Sequence, residues 1–181
     1  MRYGGIEWEY AAPIADALVA SSEFRGWLLK KTRFAHQADQ AILLHREMKA
    51  RRSANAETWW RSYFTEKCRC QGCSGQETDM LAIFMSGGAR FALHIEIKQP
   101  KDRFPTHKDQ ARNYGLRAAC WAHSAPASVL EHEDADTVLV YAEKRRFDYS
   151  DQLKKFGAAV TFEEISSTFE EIAKQFPSPE I

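Results

Sequence analysis

Charge of one sign is the first thing missing from this chain. Across 181 residues, Lys plus Arg and Asp plus Glu number 25 each. The total therefore exerts no long-range pull on phosphates or anionic membranes, and any nucleic-acid contact has to come from a local basic patch. Long hydrophobic runs are missing too: nowhere do roughly 18 apolar residues follow one another, as a membrane-spanning helix requires. The opening stretch MRYGGIEWEYAAPIADALVA carries Glu7, Glu9 and Asp16 among its apolar positions. A secretory apolar segment would not tolerate them, and the expected location is the cytoplasm, with no membrane partner. Internal repeats, low-complexity tracts and linkers are also lacking, which excludes solenoids and arrays. Cysteine is scarce: Cys68, Cys70 and Cys73 crowd together and Cys120 stands apart. That distribution is unlike the spread framework of a disulfide-stapled secreted domain, and it points to reduced thiols or a bound metal.

What is present fits one α/β domain over 1–181, with a sizeable core for its length. Apolar positions recur at helical intervals over 12–30 and again over 35–52, which predicts two opening amphipathic helices. The period then changes. ETDMLAIFM and ARFALHIEIK, separated by SGG, read as a hairpin, and an extended 59–66 would complete a three-strand meander. THKDQARNYGLRAACWA reads as a helix, DTVLVYAEK as a buried strand, YSDQLKKFG as a short helix and AAVTF as a short strand, followed by a last helix over EEISSTFEEIAKQF. The expected layout is a helical extension (1–34), a core with a mixed sheet (35–145), an α/β addition (146–176) and a loose tail (177–181).

Within RFALHIEIKQP, alternation puts Leu93, Ile95 and Ile97 on one strand face and His94, Glu96 and Lys98 on the other. Antiparallel pairing about SGG carries Asp79 to the same end of the sheet as Glu96, within a few residues of register. Two clustered carboxylates repel unless a positive charge sits between them, and a hard divalent cation with oxygen ligands suits that place best, Mg²⁺ above all. Lys98, facing the same way, would orient or activate a water or stabilise phosphate charge. These are the components of phosphodiester hydrolysis.

At these residues the sequence resembles the PD-(D/E)xK nuclease superfamily, the restriction-endonuclease-like fold, with its three-layer α/β/α core of helix, three-strand meander, helix and strand. Gln110 and Tyr114, in QARNY, are similar to the Q-x-x-x-Y helix signature of the RecB-type branch, and Gly75 ahead of Thr78-Asp79 is similar to that branch's glycine before the aspartate. The proline of the superfamily's name is absent, since Thr78 precedes Asp79. The resemblance covers roughly 40–120 and implies a Mg²⁺- or Mn²⁺-dependent deoxyribonuclease. Asp79, Glu96 and the Ile97 carbonyl would be metal ligands and Lys98 the catalytic lysine. Gln110 and Tyr114 would position that lysine or a DNA phosphate. A glutamate from the opening helix is expected as a further ligand, with Glu47 the first candidate and Glu23 the second.

Positive charge gathers behind the acids at Lys98, Lys101, Arg103, Lys108, Arg112 and Arg117, where a DNA backbone would pass. Trp59 and Trp60 are either stacking surfaces for bases or core. Glu77 is second in line behind Asp79, and His94 either contacts substrate or metal or is a satisfied strand histidine. Cys68, Cys70 and Cys73 invite a structural Zn²⁺ that Cys120, His36, His107 or another histidine would complete, or else form a loop of free thiols. The alternative to a nuclease is a non-catalytic nucleic-acid-binding or regulatory module of the same fold carrying that zinc knuckle. A nuclease of this size would pair as a homodimer to cut two strands.

Overall fold

Two adjacent glycines at positive φ, Gly87 at 58° and Gly88 at 86°, turn the chain between two neighbouring antiparallel strands. Only a residue without Cβ adopts both angles cheaply, and such turns match the twist of a tight hairpin. The computed structural model describes residues 5–52, 56–61 and 77–177. In it β2 (Met80–Ser86) and β3 (Ala89–Lys98) pair antiparallel from Ser86 opposite Ala89 to Met80 opposite Ile95. A short β1 (Ile42–Leu43) pairs antiparallel on the outer edge of β2. Beyond β3, helix α4 (Gln110–His123) crosses over to β4 (Asp134–Tyr141), parallel to β3, and β5 (Ala158–Thr161) is parallel to β4. The mixed five-strand sheet runs in sequence order, β1 to β5.

Helices cover both faces. On one, α1 (Gly5–Ala20) and α2 (Ser22–Lys30) join α6 (Phe162–Thr168) and α7 (Glu170–Ala173) over Leu93, Ile95, Ile97, Val138, Val140 and Val160. On the other, α3 (His45–Arg51) and α4 pack Met48 and Trp121 against Leu81, Ile83 and Ala92. Farther along that face, Tyr114 of α4 meets Leu139, Tyr141 and Phe156, flanked by α5 (Ser150–Leu153). Coverage on both sides explains why β2 and the second half of β4, 138–141, are nearly continuous apolar runs. Among the described residues no helix is long and apolar enough to cross a membrane.

Three expected elements take a different form. The single helix expected over 12–30 begins earlier, at Gly5, and is two helices. Ser21 adopts extended angles and its hydroxyl accepts the Phe24 N–H at 3.0 Å, an N-cap that starts a new helix. The helix expected over 35–52 holds only as a 3₁₀ turn at Ala35–Gln37 and as α3. Between them Ile42 and Leu43 pair with β2, and Leu44 N–H donates to Ile83 O at 2.8 Å. Strand pairing outweighs local periodicity there, and Ile42, placed in the apolar stripe, is 59% exposed. β1 thereby supplies the first meander strand. Trp59 and Trp60 are irregular, and the rest of the strand expected at 59–66 lies largely outside the described residues. The final helix breaks at Phe169, between α6 and α7.

Candidate active site

The register of the hairpin brings the acids together. Met80 faces Ile95, so the next step outward sets Asp79 opposite Glu96, and directly opposed residues project from the same sheet face. Asp79 does not continue the ladder. Its Oδ2 accepts the Ile97 N–H at 2.8 Å, while its own N–H donates to the Tyr114 hydroxyl at 3.1 Å. That hydroxyl in turn faces Glu77 O at 3.5 Å. Tyr114, fully buried on α4, therefore holds the backbone of Asp79 and is not available to a DNA phosphate.

Glu96 is fully buried on the α4 side of β3, and Lys98 is nearly so. The Lys98 ammonium and the Glu96 carboxylate form an ion pair. No contact to Glu96 meets regular hydrogen-bond geometry, but the Lys98 ammonium, the Tyr114 hydroxyl and the Asp79 carboxyl all lie against its buried oxygens. A buried carboxylate is retained when such neighbours compensate it. Burial raises the Asp79 pKa well above its ordinary value, and the neighbouring Glu96 and Glu7 carboxylates raise it further. For Lys98, burial alone pulls the pKa down, but Glu96, Asp79 and Glu7 more than offset it, and the net shift is upward. Lys98 is accordingly an ammonium at neutral pH, equipped to stabilise negative charge and not to accept a proton.

The opening-helix acid is Glu7. It sits in the first turn of α1, and burial, followed by the Glu96 charge, pushes its pKa up to about 7. Glu7, Trp8, Ala11, Trp60, Arg61, Glu77 and Asp79 line a cleft of about 30 Å³, room for a water-sized occupant. Neither expected candidate fits this place. Glu47 is exposed on α3, whose Met48 packs under the middle of β2, and Glu23 is exposed on α2. The signal for Glu7 lay in starting the helix at Gly5: with that helix read as starting at residue 12, Glu7 counted only as a charge in an apolar stretch. Asp102, after β3, is a second acid near Lys98. Burial raises its pKa, against the pull of the lysine.

Other expected residues divide. Lys101, Arg103, Lys108 and Arg112 are exposed between β3 and the first turn of α4, as a contact surface requires. Gln110 opens α4 with its Oε1 buried and without a hydrogen bond. Arg117 is 0% exposed, and its Nη1 donates to Thr78 Oγ1 at 2.7 Å, so it braces the strand before Asp79 from within and offers nothing to an external phosphate. His94 is fully buried against Trp121, ring centroids 5.1 Å apart, and burial holds its pKa well below 6.5, so it is a neutral core residue. Trp60 is core, stacked on Trp8 at 5.2 Å, and Trp59 is half-buried. Cys120 is half-buried on α4, and His36 and His107 are exposed. Cys68, Cys70, Cys73 and Gly75 lie outside the described residues.

Among the described residues no group of three or more His, Cys, Asp or Glu side chains is placed to hold a metal ion. Glu7, Asp79 and Glu96 nevertheless lie close enough to one another for Glu96 to raise the pKa of the other two, with the Lys98 ammonium as the opposing charge. No family model, curated protein or solved structure matches the chain.

Proposed function

We propose that the protein is a metal-dependent nuclease of the PD-(D/E)xK type that hydrolyses DNA phosphodiester bonds. The observation that carries this reading is the fully buried Glu96 carboxylate, ion-paired to the Lys98 ammonium and close enough to Asp79 and Glu7 to raise the pKa of both. The element order supports it in part: opening helices, β1, the β2–β3 hairpin, α4 and the parallel β4 follow the order implied by the resemblance, with α3 inserted between the first two strands.

Asp79, Glu96 and Glu7 would hold Mg²⁺ or Mn²⁺, with the Ile97 carbonyl as the backbone ligand. A bound divalent cation supplies charge neutralisation at phosphate and a more acidic water. The chain's own groups do the rest. Lys98, kept charged by its carboxylate neighbours, stabilises the negative charge that builds on phosphate. The Tyr114 hydroxyl and the Ile97 N–H fix Asp79 from both sides. Lys101, Arg103, Lys108 and Arg112 supply phosphate contacts that position the backbone and carry no sequence information.

The test is incubation of purified protein with linear, nicked, branched and single-stranded DNA in Mg²⁺ or Mn²⁺. Wild type is expected to cut at least one of them, with Lys98→Ala and Asp79→Ala slower by about 100-fold, the scale for removing one charge-stabilising group. Equal rates for wild type and both variants on every substrate would defeat the nuclease reading. Metal-independent DNA binding without turnover would instead favour a binding module.

A further inference from the structure

Phe147 is 90% exposed, whereas the other exposed large hydrophobics among the described residues, Val19 and Ile42, stand at 38% and 59%. A lone exposed apolar residue is ordinary. The setting of this one is not, because its loop is tied by hydrogen bonds to the segment that follows Lys98. β4 ends at Tyr141 in register with Lys98, so residues 142–149 leave the sheet next to the lysine. Arg145 Nε donates to Pro100 O at 3.0 Å and Tyr149 OH donates to Asp102 O at 2.6 Å, tying the loop to the segment that follows Lys98. The Phe104 ring packs edge-on against Tyr149, centroids 5.0 Å apart, and the Lys98 ammonium lies 5.0 Å from the same ring. Within the loop, Arg146 forks onto Glu143 at 2.5 and 2.8 Å, and Arg145 Nη1 donates to Asp148 at 2.7 Å. Phe147 makes no ring contact among the described residues, so a braced scaffold presents an unpartnered aromatic face.

The charges around it are mixed, Glu143 paired to Arg146 and Asp148 to Arg145, and exposed cations are left in excess. Lys144 is exposed and forms no ion pair among the described residues, and Lys101, Arg103 and Lys108 are exposed on the adjoining segment. A protein-docking patch calls for a contiguous apolar area, yet the neighbours of Phe147 in this loop are charged. A π-face among cations suits a nucleobase whose flanking phosphates meet the cations. Bases in an intact duplex hide their faces.

We propose that Phe147 is a stacking platform for an unpaired base, so that the site acts on single-stranded or locally opened nucleic acid. This rests on the nuclease reading only for the purpose of the contact; the contact itself is measured without cleavage. The experiment is fluorescence anisotropy of the full chain in EDTA with a labelled oligothymidine and, separately, a blunt duplex, comparing wild type, Phe147→Ala and Phe147→Trp. Phe147→Ala is expected to weaken single-strand binding about 10-fold, the scale of one lost base stack. Duplex binding should change less than about twofold, and Phe147→Trp should restore the single-strand affinity. Unchanged single-strand affinity in Phe147→Ala, an equal loss on both DNAs, or no wild-type binding to the single strand overturns the proposal. Cleavage by wild type with Phe147→Ala binding normally would sink the platform and leave the nuclease standing. Phe147-dependent binding without Mg²⁺- or Mn²⁺-dependent cleavage would do the reverse. Circular dichroism of Phe147→Ala should match wild type because the ring supports no core.

Discussion

Glu7 shows how one side chain can serve a site and weaken the fold that holds it. Its pKa, ordinarily near 4.5, is pushed up to about 7, first by burial and then by Glu96. An acid with a raised folded pKa binds its proton more tightly when folded. Stability is therefore lost as pH rises from about 4.5 through 7 and stays low above that. Glu7→Gln removes the repelling charge, and the metal-free variant is expected to melt above wild type at pH 8 by a larger margin than at pH 5. Saturating Mn²⁺ should narrow or reverse the gap at pH 8, because binding to the folded state alone stabilises wild type. Identical melting shifts at both pH values would show that Glu7 is not in the carboxylate cluster. Tyr114 offers a cleaner separation of roles. Tyr114→Phe removes the acceptor for Asp79 N–H at a cost of about 1 kcal/mol in stability. The expected signature is a lower kcat with KM little changed, since the hydroxyl fixes Asp79 and touches no substrate. A raised KM at unchanged kcat would place the hydroxyl on the nucleic acid instead.

At the scale of elements, close approach between strand and loop sets the limits. A Cβ on Gly157 would lie 1.8 Å from Asp136 Oδ1. That carboxylate is already committed, accepting from Thr137 N at 2.8 Å and Arg33 N at 3.1 Å. Gly157→Ala is therefore expected to destabilise by about 1–3 kcal/mol, as overpacking does, visible in urea unfolding with activity at the distant carboxylates retained. A neutral result would mean that Asp136 swings aside at no cost. Elements whose signal is local were legible: the SGG turn, the helix that is α4, and the strand–helix succession of β5 and α6, whose caps at Asp109 and Thr161–Glu164 appear only in the structure. β1 was not, because two residues pairing with an edge strand leave no period to read, and Ser21 was passed over inside a run of helical spacing.

Across the whole molecule, charge neutrality hides strongly unequal environments. His94 and His132 are both buried, and burial lowers both pKa values; His94 is further lowered by His132 and Arg117. An imidazole with a depressed folded pKa takes up a proton more readily once unfolded. Acid below about 6.5, the ordinary value, therefore favours the unfolded chain, and stability returns above it. In a Glu7→Gln background, which removes one opposing group while Asp79 and Asp102 remain, His94→Leu is expected to lose less melting temperature, or gain more, from pH 7 to pH 5 than its parent. An unchanged slope in His94→Leu would assign the acid sensitivity elsewhere. The basic patch was legible as a cluster in sequence, but burial divides it: Arg117 belongs to the interior, whereas Lys101, Arg103, Lys108 and Arg112 remain outside.

The sequence by itself determined the hairpin, the alternation that puts Glu96 and Lys98 on one face, and the presence of Asp79 at the same end, because turn chemistry and a period of two are local properties. Only the tertiary structure decided which helical glutamate joins them, that Tyr114 holds Asp79 and not a phosphate, and that the loop carrying Phe147 is tied to the segment after the lysine. Those placements depend on how helices pack on the sheet and on which loops the parallel crossover brings together, and such contacts between residues far apart in the chain leave no spacing to read.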